Sequence, residues 1–407
     1  MNGPCLGCGS SRVELLLDCG MQPPSNRFVK SGENRSEGYF LRLGQCQVCA
    51  LIQLQDPMPP AMVKSRFDWL TYNEPEGHLD GLVEHLRGLP GLTPTSRIVG
   101  LSYKDDSTLT RFNRLGYANT FRLDLKRDLG VDDSHAGLES IQQVVAEKLM
   151  RALAARHGQA DLLLVRHVLE HAHDPVEFLR AFGAMLRPGG HVVFEMPDCS
   201  NFISACDYSF VWEEHIIYFS PATFTAFARR HGYAVTSLLD YPYPLEHSLV
   251  AVLTPGAPAA GEAPVEEVLA AGRRFGQAFA GRRNAIRNHL QRLRGQGQHI
   301  AVFGAGHLAA KFLNLFDLGE IVECVIDDNP NKQGLRMPGS NLPVLGSAVL
   351  GEGKIDLCLL SLSPESEQKV LAKRQDYIAA GGRFASIFAL SPLALKLERA
   401  DESAQGK

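Results

Sequence analysis

The sequence predicts an α/β fold in which a small cysteine-rich module precedes two domains, each built on a doubly wound parallel sheet. Three observations predict it: two C-x2-C pairs, strands that alternate with helices in the middle, and a later strand, glycine loop and helix. At 407 residues the chain is too long for one hydrophobic core. We expect a module at residues 1–65 and Rossmann-like domains at 66–254 and 255–407.

Composition excludes several classes of protein. With 45% hydrophobic and 21% charged residues, the chain has enough apolar mass to fold. Lys and Arg total 41 against 45 for Asp and Glu, so no strong field attracts nucleic acid or anionic lipid. No apolar run approaches the roughly 18 residues of a membrane span, and the first residues do not form a leader. We expect a cytoplasmic protein without nucleic-acid or membrane partners.

The first element is a predicted zinc site. Cys5 and Cys8 form one C-x2-C pair, and Cys46 and Cys49 form another. Two such pairs can place four thiolates tetrahedrally around one ion. Gly9 follows the first pair, where a backbone turn lets amides point at sulfur. Four thiolates close the coordination shell, so we expect structural zinc; coincidental buried cysteines are the alternative.

The middle of the chain predicts the first doubly wound sheet. Apolar runs that predict strands alternate with amphipathic segments that predict helices, and a turn sequence precedes the last strand. We expect strands at 98–101, 120–123, 161–165 and 191–195, helices at 107–115, 141–157 and 175–186, and the turn at 187–190.

The residues that follow these strands should converge, because ligands bind at the carboxyl ends of parallel strands. They are 102–106, Asp124, 167–171 and 197–198. Asp124 ends the second strand, where a carboxylate can accept the two hydroxyls of a ribose, although a solvated turn also favours an acid.

The run Glu213-Glu214-His215 joins two carboxylates and an imidazole to an apolar segment. Such an imidazole can act as a general base near neutral pH. A hydrogen-bonded structural histidine is the alternative.

The last third predicts the second sheet. A linker at 255–264 and an arginine-rich helix at 265–293 precede a strand at 300–303. Gly304-Ala-Gly306 then imitates a dinucleotide loop, and a strand at 321–326 ends in Asp327-Asp328. A nicotinamide enzyme is therefore one hypothesis, and a nucleotide contact or a structural role are the others.

Five motifs follow one another along nearly the whole chain: the two cysteine pairs, Val168-Leu-Glu-His171, Glu213 to Ser220, and Asp327 to Gly334 with Pro338-Gly339. In this combination the chain resembles the three-domain sugar C-methyltransferases. The resemblance implies a zinc domain, an S-adenosylmethionine domain and a Rossmann-like domain that is not a redox site.

The resemblance also implies a reaction and its residues. A base removes a proton beside the ketone of a nucleotide-linked 4-keto deoxysugar, and the enolate takes the methyl group at C3. The implied catalytic residues are His215 as base, Glu214 as its neighbour, His171 beside the sugar, and Tyr72. The implied cofactor-binding residues are Leu101, Ser102, Asp105, Asp124 and His167.

The chain departs from the family pattern at three places. Trp212 replaces the tyrosine of the motif around the base, and 245–248 reads Leu-Glu-His-Ser where the family has His-Gly-Gly-Ser. In the cofactor loop Ser102 and Asp106 replace two glycines, while Tyr103 and Lys104 add bulk. Two alternatives therefore stand: a cofactor-less homologue that performs proton transfer, such as an epimerase, or a binding protein without turnover.

Overall fold

A computed structural model describes residues 3–33, 37–67, 74–133, 136–257 and 266–397. The chain forms two compact units. The first comprises Met1–Asp18, Leu41–Asn201 and Glu213–Arg273, and the second comprises Cys19–Phe40, Phe202–Trp212 and Arg274–Lys407. The domain boundaries expected after residues 65 and 254 stay predictions.

The strands in the described part of the chain are β1 (Val13–Gln22), β2 (Val29–Lys30), β3 (Tyr39–Cys46), β4 (Ile52–Leu54), β5 (Ile98–Gly100), β6 (Thr120–Arg122), β7 (Ala160–Arg166), β8 (Leu186–Asp198), β9 (Ile217–Tyr218), β10 (Tyr233–Tyr241), β11 (His247–Pro255), β12 (Ile300–Phe303), β13 (Cys324–Ile326), β14 (Leu335–Arg336), β15 (Val344–Leu345), β16 (Leu357–Leu360) and β17 (Arg383–Ser386).

The α-helices in the same part are α1 (Pro60–Val63), α2 (Leu79–Arg87), α3 (Asp106–Arg114), α4 (Leu138–Val144), α5 (Glu147–His157), α6 (Pro175–Ala181), α7 (Ser200–Ala205), α8 (Pro221–Arg230), α9 (Glu266–Gly295), α10 (His307–Leu315), α11 (Pro364–Lys373) and α12 (Gln375–Ala379). Short 3-10 turns cover Tyr103–Asp105, Leu169–His171, Phe182–Ala184 and Ser347–Glu352.

The main sheet of the first unit has the strand order β10-β11-β8-β7-β5-β6. β6, β5, β7 and β8 run parallel, and β11 and β10 extend the sheet as an antiparallel edge. The inner parallel strands β5 and β7 are mostly apolar and buried, as expected of strands covered on both faces, whereas the edge strand β6 is more exposed. Leu82 and Leu86 of α2 and Phe112 of α3 pack in one buried cluster with Ile98 and Leu162 of the sheet. The predicted doubly wound sheet is confirmed.

A four-stranded sheet, β1-β3-β4-β9, carries the zinc module. β4 pairs antiparallel with β9, so Ile52 lies opposite Tyr218 and Gln53 lies opposite Ile217. The Leu54 amide donates to the Ile216 carbonyl at 2.9 Å. A strand of the module therefore holds the segment that follows His215.

The second unit contains the parallel sheet β15-β13-β12-β16-β17. Its three central strands, β13, β12 and β16, are short and fully apolar, and Ala301, Ile326 and Leu360 pack with Leu350 and Tyr377 in one buried cluster. This confirms the second Rossmann-like sheet that the pattern predicts.

The predicted helix over 141–157 is wrong as a single element. Val145 and Ala146 take extended backbone angles between α4 and α5. The first amide of α5, on Glu147, donates to the Glu177 carboxylate at 3.0 Å. A side chain distant in sequence thus satisfies a helix amino terminus, which apolar periodicity does not reveal.

Two strand boundaries also differ from the prediction. The turn expected at 187–190 lies within β8, where the pairing with β7 shifts register between Leu186 and His191 and Gly189 takes φ +75°. The strand expected at 321–326 begins only at Cys324, because Ile321 and Val322 bond back to the Leu318 carbonyl.

Within the described residues, no helix combines the length and the apolar character needed to cross a membrane.

Candidate functional site

The four cysteines of the module meet at one point. One sulfur atom from each of Cys5, Cys8, Cys46 and Cys49 lies within 4.8 Å of the other three. The Sγ atoms of Cys5 and Cys49 are 3.4 Å apart, and those of Cys8 and Cys46 are 3.6 Å apart. Four converging sulfurs are a donor set that fits zinc in a closed tetrahedral site, with no open position for substrate.

Backbone amides support this site at the second cysteine pair. The amides of Val48 and Cys49 donate to Cys46 Sγ at 3.4 and 3.5 Å. Gly9 takes φ +74°, which a side chain would disfavour, and its amide donates to the Cys5 carbonyl at 2.8 Å. The bonds of Val48 and Cys49 orient the Cys46 thiolate, whereas the Gly9 amide, expected to point at sulfur, donates to a carbonyl. Zinc held by the four thiolates would stabilise the module.

The two residues that replace glycine in the cofactor loop after β5 do not need positive φ angles. Ser102 has extended backbone angles, φ −131° and ψ 173°, and Asp106 has helical ones, φ −56° and ψ −41°. Gly100 is the position where a side chain would collide, because a Cβ there would lie 2.8 Å from Asp105 Cβ. The replacements therefore leave the backbone of the loop unstrained.

Asp105 holds the loop together. Its carboxylate accepts the Ser102 amide at 2.8 Å and the Arg166 amide, at the end of β7, at 3.1 Å. Burial, the largest effect, raises the pKa of Asp105 to about 7, although the Ser102 bond and the Arg166 charge oppose it. Asp105 is fully buried and its carboxylate bonds to the loop and to β7, and its predicted contact with the cofactor stays a prediction.

Leu101 is buried and its amide donates to the Leu164 carbonyl at 3.1 Å, which ties the loop to β7. Asp124 lies at the end of β6 and accepts the amides of Lys126 and Arg127 at 3.1 and 2.7 Å. Its side chain is 41% exposed, so it remains accessible to ribose hydroxyls.

Sequence reasoning missed a buried ionic centre formed by Arg166 and Glu195. The Arg166 guanidinium donates to Glu195 at 2.5 Å and to the Lys104 carbonyl. Glu195 also accepts Ser248 Oγ at 2.8 Å, and its Oε1 lies 3.1 Å from His167 Nε2. The available signal was a pair of charged residues within otherwise apolar strands, a pattern that requires partners.

His167 is part of this centre. It is buried at φ +53°, and its Nδ1 lies 3.4 Å from Glu170. Burial opposes its charge, but the bonds with Glu170 and Glu195 outweigh it and raise the pKa of His167 to about 10. The raised pKa favours a protonated His167, which lies between the carboxylates of Glu170 and Glu195.

The predicted catalytic histidines lie together. The rings of His171 and His215 meet edge to face with centroids 5.1 Å apart. His171 is buried, and its Nδ1 lies 3.0 Å from Glu139 Oε1, whereas His215 is only half buried. One carboxylate oxygen from each of Glu139 and Glu214 lies within 4.8 Å of a His171 nitrogen.

These contacts set the charge of His171. Burial lowers its pKa, but the hydrogen bond and the charge of Glu139 outweigh burial, so the pKa of His171 is raised. The same bond holds the pKa of Glu139 below its ordinary value despite burial. Glu139 was missed by sequence reasoning, because it lies on α4, far from the motifs.

Two further predicted residues have different outcomes. Tyr72 lies outside the described residues. Trp212 is buried and stacks on His307, with ring centroids 4.2 Å apart and planes 20° apart.

In the second unit, the acid next to the glycine loop is already hydrogen-bonded to other groups of the protein. Gly304 takes φ +102°, and the Ala305 amide donates to Asp327 at 2.9 Å. Asp327 also accepts Lys332 Nζ at 2.9 Å and the Asn329 amide at 2.9 Å. The acid that would hold a dinucleotide ribose is therefore already bonded.

Two of the solved structures that match the chain cover less than half of its length. The N1-methyltransferase for 1,6-didemethyltoxoflavin from Burkholderia thailandensis, solved with bound S-adenosylhomocysteine, is 14% identical with a TM-score of 0.30, and the match covers 44% of this chain and 77% of that chain. YjhP from E. coli is 12% identical with a TM-score of 0.30, over 46% of this chain and 96% of that one.

Curated relatives include one of nearly full length. The C-methyltransferase NovU of Streptomyces niveus is 25% identical over 406 residues, covering 93% of this chain and 94% of NovU. A ubiquinone biosynthesis O-methyltransferase of Cupriavidus pinatubonensis is 35% identical over 115 residues, which is 28% of this chain and 44% of that protein.

Three family models match successive parts of the chain. They describe a zinc binding domain at residues 5–63, a methyltransferase domain at 116–238 and a C-methyltransferase C-terminal domain at 265–389. The methyltransferase match begins after β5 and the cofactor loop, where the chain departs from the family pattern. With zinc in the first domain and S-adenosylmethionine as the methyl donor of the second, the chain belongs to the three-domain C-methyltransferases.

Proposed function

We propose that the enzyme methylates carbon in a nucleotide-linked keto-deoxysugar and that His215 is the base. The substrate class follows from the family resemblance of the motifs around His171 and His215. The base role is supported by one observation above all, the pairing of a half-buried imidazole with a buried one held by carboxylates.

The two imidazoles suit opposite roles, because their surroundings differ. Glu139 favours the protonated form of His171, which can then donate to the oxygen of the ketone as charge develops there. The ring of His215 lies edge to face with that of His171, and a neutral imidazole has a nitrogen lone pair that can accept a proton. Glu214 lies beside the two histidines, where its carboxylate can orient the imidazole rings.

The proton chemistry then follows from these positions. His215 takes the proton from the carbon beside the ketone, and the electrons of that C–H bond form the enolate. His171 stabilises the negative oxygen. S-adenosylmethionine, when bound, would supply the methyl group to the enolate carbon: the methyl–sulfur bond would break, its electrons would stay on sulfur as the thioether of S-adenosylhomocysteine, and the ketone would re-form. His215 is left protonated and returns its proton to solvent through its exposed side.

The test is methylation of a panel of nucleotide-linked keto-deoxysugars, followed by mass spectrometry for the gain of one CH2 group. We expect His215→Ala to lower the rate by about a hundredfold to ten-thousandfold, because a general base contributes that much. His85→Ala, an exposed histidine on α2, is the matched control and should keep the wild-type rate. Equal rates for His215→Ala and wild type would refute the base role.

A second candidate rests on the replaced loop glycines Ser102 and Asp106. A homologue that performs only proton transfer would exchange substrate hydrogen for deuterium in D2O without any methyl donor and without forming methylated product. That result would replace the methylation proposal and keep His215 as the base.

A further inference from the structure

The cofactor loop carries an ion pair that the family resemblance does not assign. Lys104 lies on the 3-10 turn after β5, and its Nζ is 3.1 Å from Glu74 Oε1. The Lys104 side chain is 8% exposed and that of Glu74 is 29% exposed. A nearly buried ammonium is costly to keep unless it serves a charged partner, so this pair requires an explanation.

The loop fixes Lys104 from both sides. The Lys104 amide donates to Ser102 Oγ at 3.2 Å, and the Lys104 carbonyl accepts the Arg166 guanidinium. Arg166 is itself buried and bonded to Glu195. The backbone of Lys104 is therefore held in place by groups that do not need a ligand, which is the arrangement expected of a binding residue.

The position of the pair indicates which part of the cofactor it meets. In a doubly wound sheet the ligand lies across the carboxyl ends of the strands. Asp124, at the end of β6, is placed for the ribose, so the loop after the neighbouring strand β5 faces the other end of the ligand. That end of S-adenosylmethionine is an amino acid, with one carboxylate and one ammonium group at neutral pH.

We propose that Lys104 and Glu74 bind the amino-acid end of S-adenosylmethionine. Lys104 donates to the α-carboxylate, and Glu74 accepts from the α-ammonium. Charged hydrogen bonds then do the work that close backbone contact does in a glycine-rich loop. The proposal rests on the methyl donor and is independent of the sugar and of the base.

The test compares two ligands by isothermal titration calorimetry. S-adenosylhomocysteine carries the amino-acid group, and 5′-methylthioadenosine has the same adenosine and thioether without it. We expect Lys104→Met and Glu74→Gln each to weaken S-adenosylhomocysteine about tenfold or more, the range for a charged hydrogen bond. Binding of 5′-methylthioadenosine should change by less than about twofold.

The ratio of the two affinities separates binding from folding. A merely structural role would weaken both ligands equally, and that result would overturn the proposal, as would an unchanged affinity for S-adenosylhomocysteine. Glu74→Gln carries the test if Lys104→Met does not fold. Lys354→Met, which breaks a 2.9 Å pair with Glu352 in the second unit, is the matched control and should alter neither affinity.

The same titrations distinguish this proposal from the proposed function. If the wild-type protein binds neither ligand, S-adenosylmethionine is not its methyl donor, and the proposed binding by Lys104 and Glu74 is refuted as well. If wild type binds both and the variants lose only S-adenosylhomocysteine, the pairing holds even when no keto-deoxysugar is methylated.

Discussion

The loops that follow β5 and β12 both turn the chain from a strand into a helix, but they do so with different residues. The second loop uses glycine, with Gly304 at φ +102° and the Ala305 amide bonded to Asp327. The first has no positive-φ residue at Ser102 or Asp106, and the carboxylate that organises it, Asp105, comes from the loop itself. The acid after the next strand accepts backbone amides in both loops, but only in the loop with the more glycine-rich sequence does it also accept an ammonium group, that of Lys332.

The difference between the two loops shows that the number of glycines in a loop does not by itself indicate whether the loop binds a ligand. What distinguishes the loops is the acid at the end of the next strand. Asp124 is 41% exposed, whereas Asp327 is 15% exposed and bonded to Lys332. We expect the first loop to bind a nucleoside and the second to be structural.

The largest expected effect tests the ionic support of the first loop. Arg166→Met should destabilise the protein by about 3–5 kcal/mol, because it leaves Glu195 charged, buried and without its guanidinium partner. Urea unfolding measures it. The double variant Arg166→Met, Glu195→Gln should recover part of the loss, and a loss below about 1 kcal/mol for the single variant would contradict this role.

The next effect depends on pH. Because the pKa of Asp105 is about 7 when folded and 3.8 ordinarily, the folded state binds an extra proton between these values. Its contribution to stability therefore falls as pH rises from about 4 to about 7, by about 2–4 kcal/mol. Urea unfolding across this range should show the decline in wild type relative to Asp105→Asn. Parallel curves for the two proteins would count against it.

Replacing the glycine of the second loop should have a smaller effect, which is confined to the free energy of unfolding. A Cβ at Gly304 would lie 2.7 Å from Leu362 Cδ2 and 3.0 Å from the Ser361 carbonyl oxygen, at a φ that alanine disfavours. Gly304→Ala should cost about 1–3 kcal/mol in thermal or urea unfolding. Its affinity for S-adenosylhomocysteine should match wild type, and a parallel loss of affinity would break the comparison.

The smallest effect compares the two acids directly. Asp124→Asn should weaken S-adenosylhomocysteine about tenfold, near 1.4 kcal/mol, because a neutral amide replaces a charged acceptor. Asp327→Asn should leave that affinity within about twofold. Calorimetry measures both, and equal losses would show that the second loop contributes to cofactor binding after all.

Much of this architecture could be predicted from sequence because it depends on local patterns. Paired cysteines at C-x2-C spacing predicted the zinc site, and apolar runs predicted the core strands of both sheets. The break between α4 and α5 could not be predicted, since Glu177, which caps α5, is distant in sequence.

The candidate site was predicted unevenly for the same reason. Motifs pointed to His171 and His215, which the fold brings to 5.1 Å. Glu139 and Arg166 were missed, because their roles arise only when separate strands and helices meet. Positive φ is not needed at Ser102, which is extended, because the fold and not the residue type alone sets the backbone angle; the effect of the replaced glycines on cofactor approach stays a prediction.

The pairing of β4 with β9 links the metal to the chemistry. Cys49 lies three residues before β4, and β4 pairs with Ile217 and Tyr218, which follow closely after His215. Oxidation of the four thiols would release the zinc ion, and without it the β4–β9 pairing that positions the backbone near His215 would weaken. The enzyme should therefore lose turnover under oxidative stress although none of its proposed catalytic groups is itself a thiol.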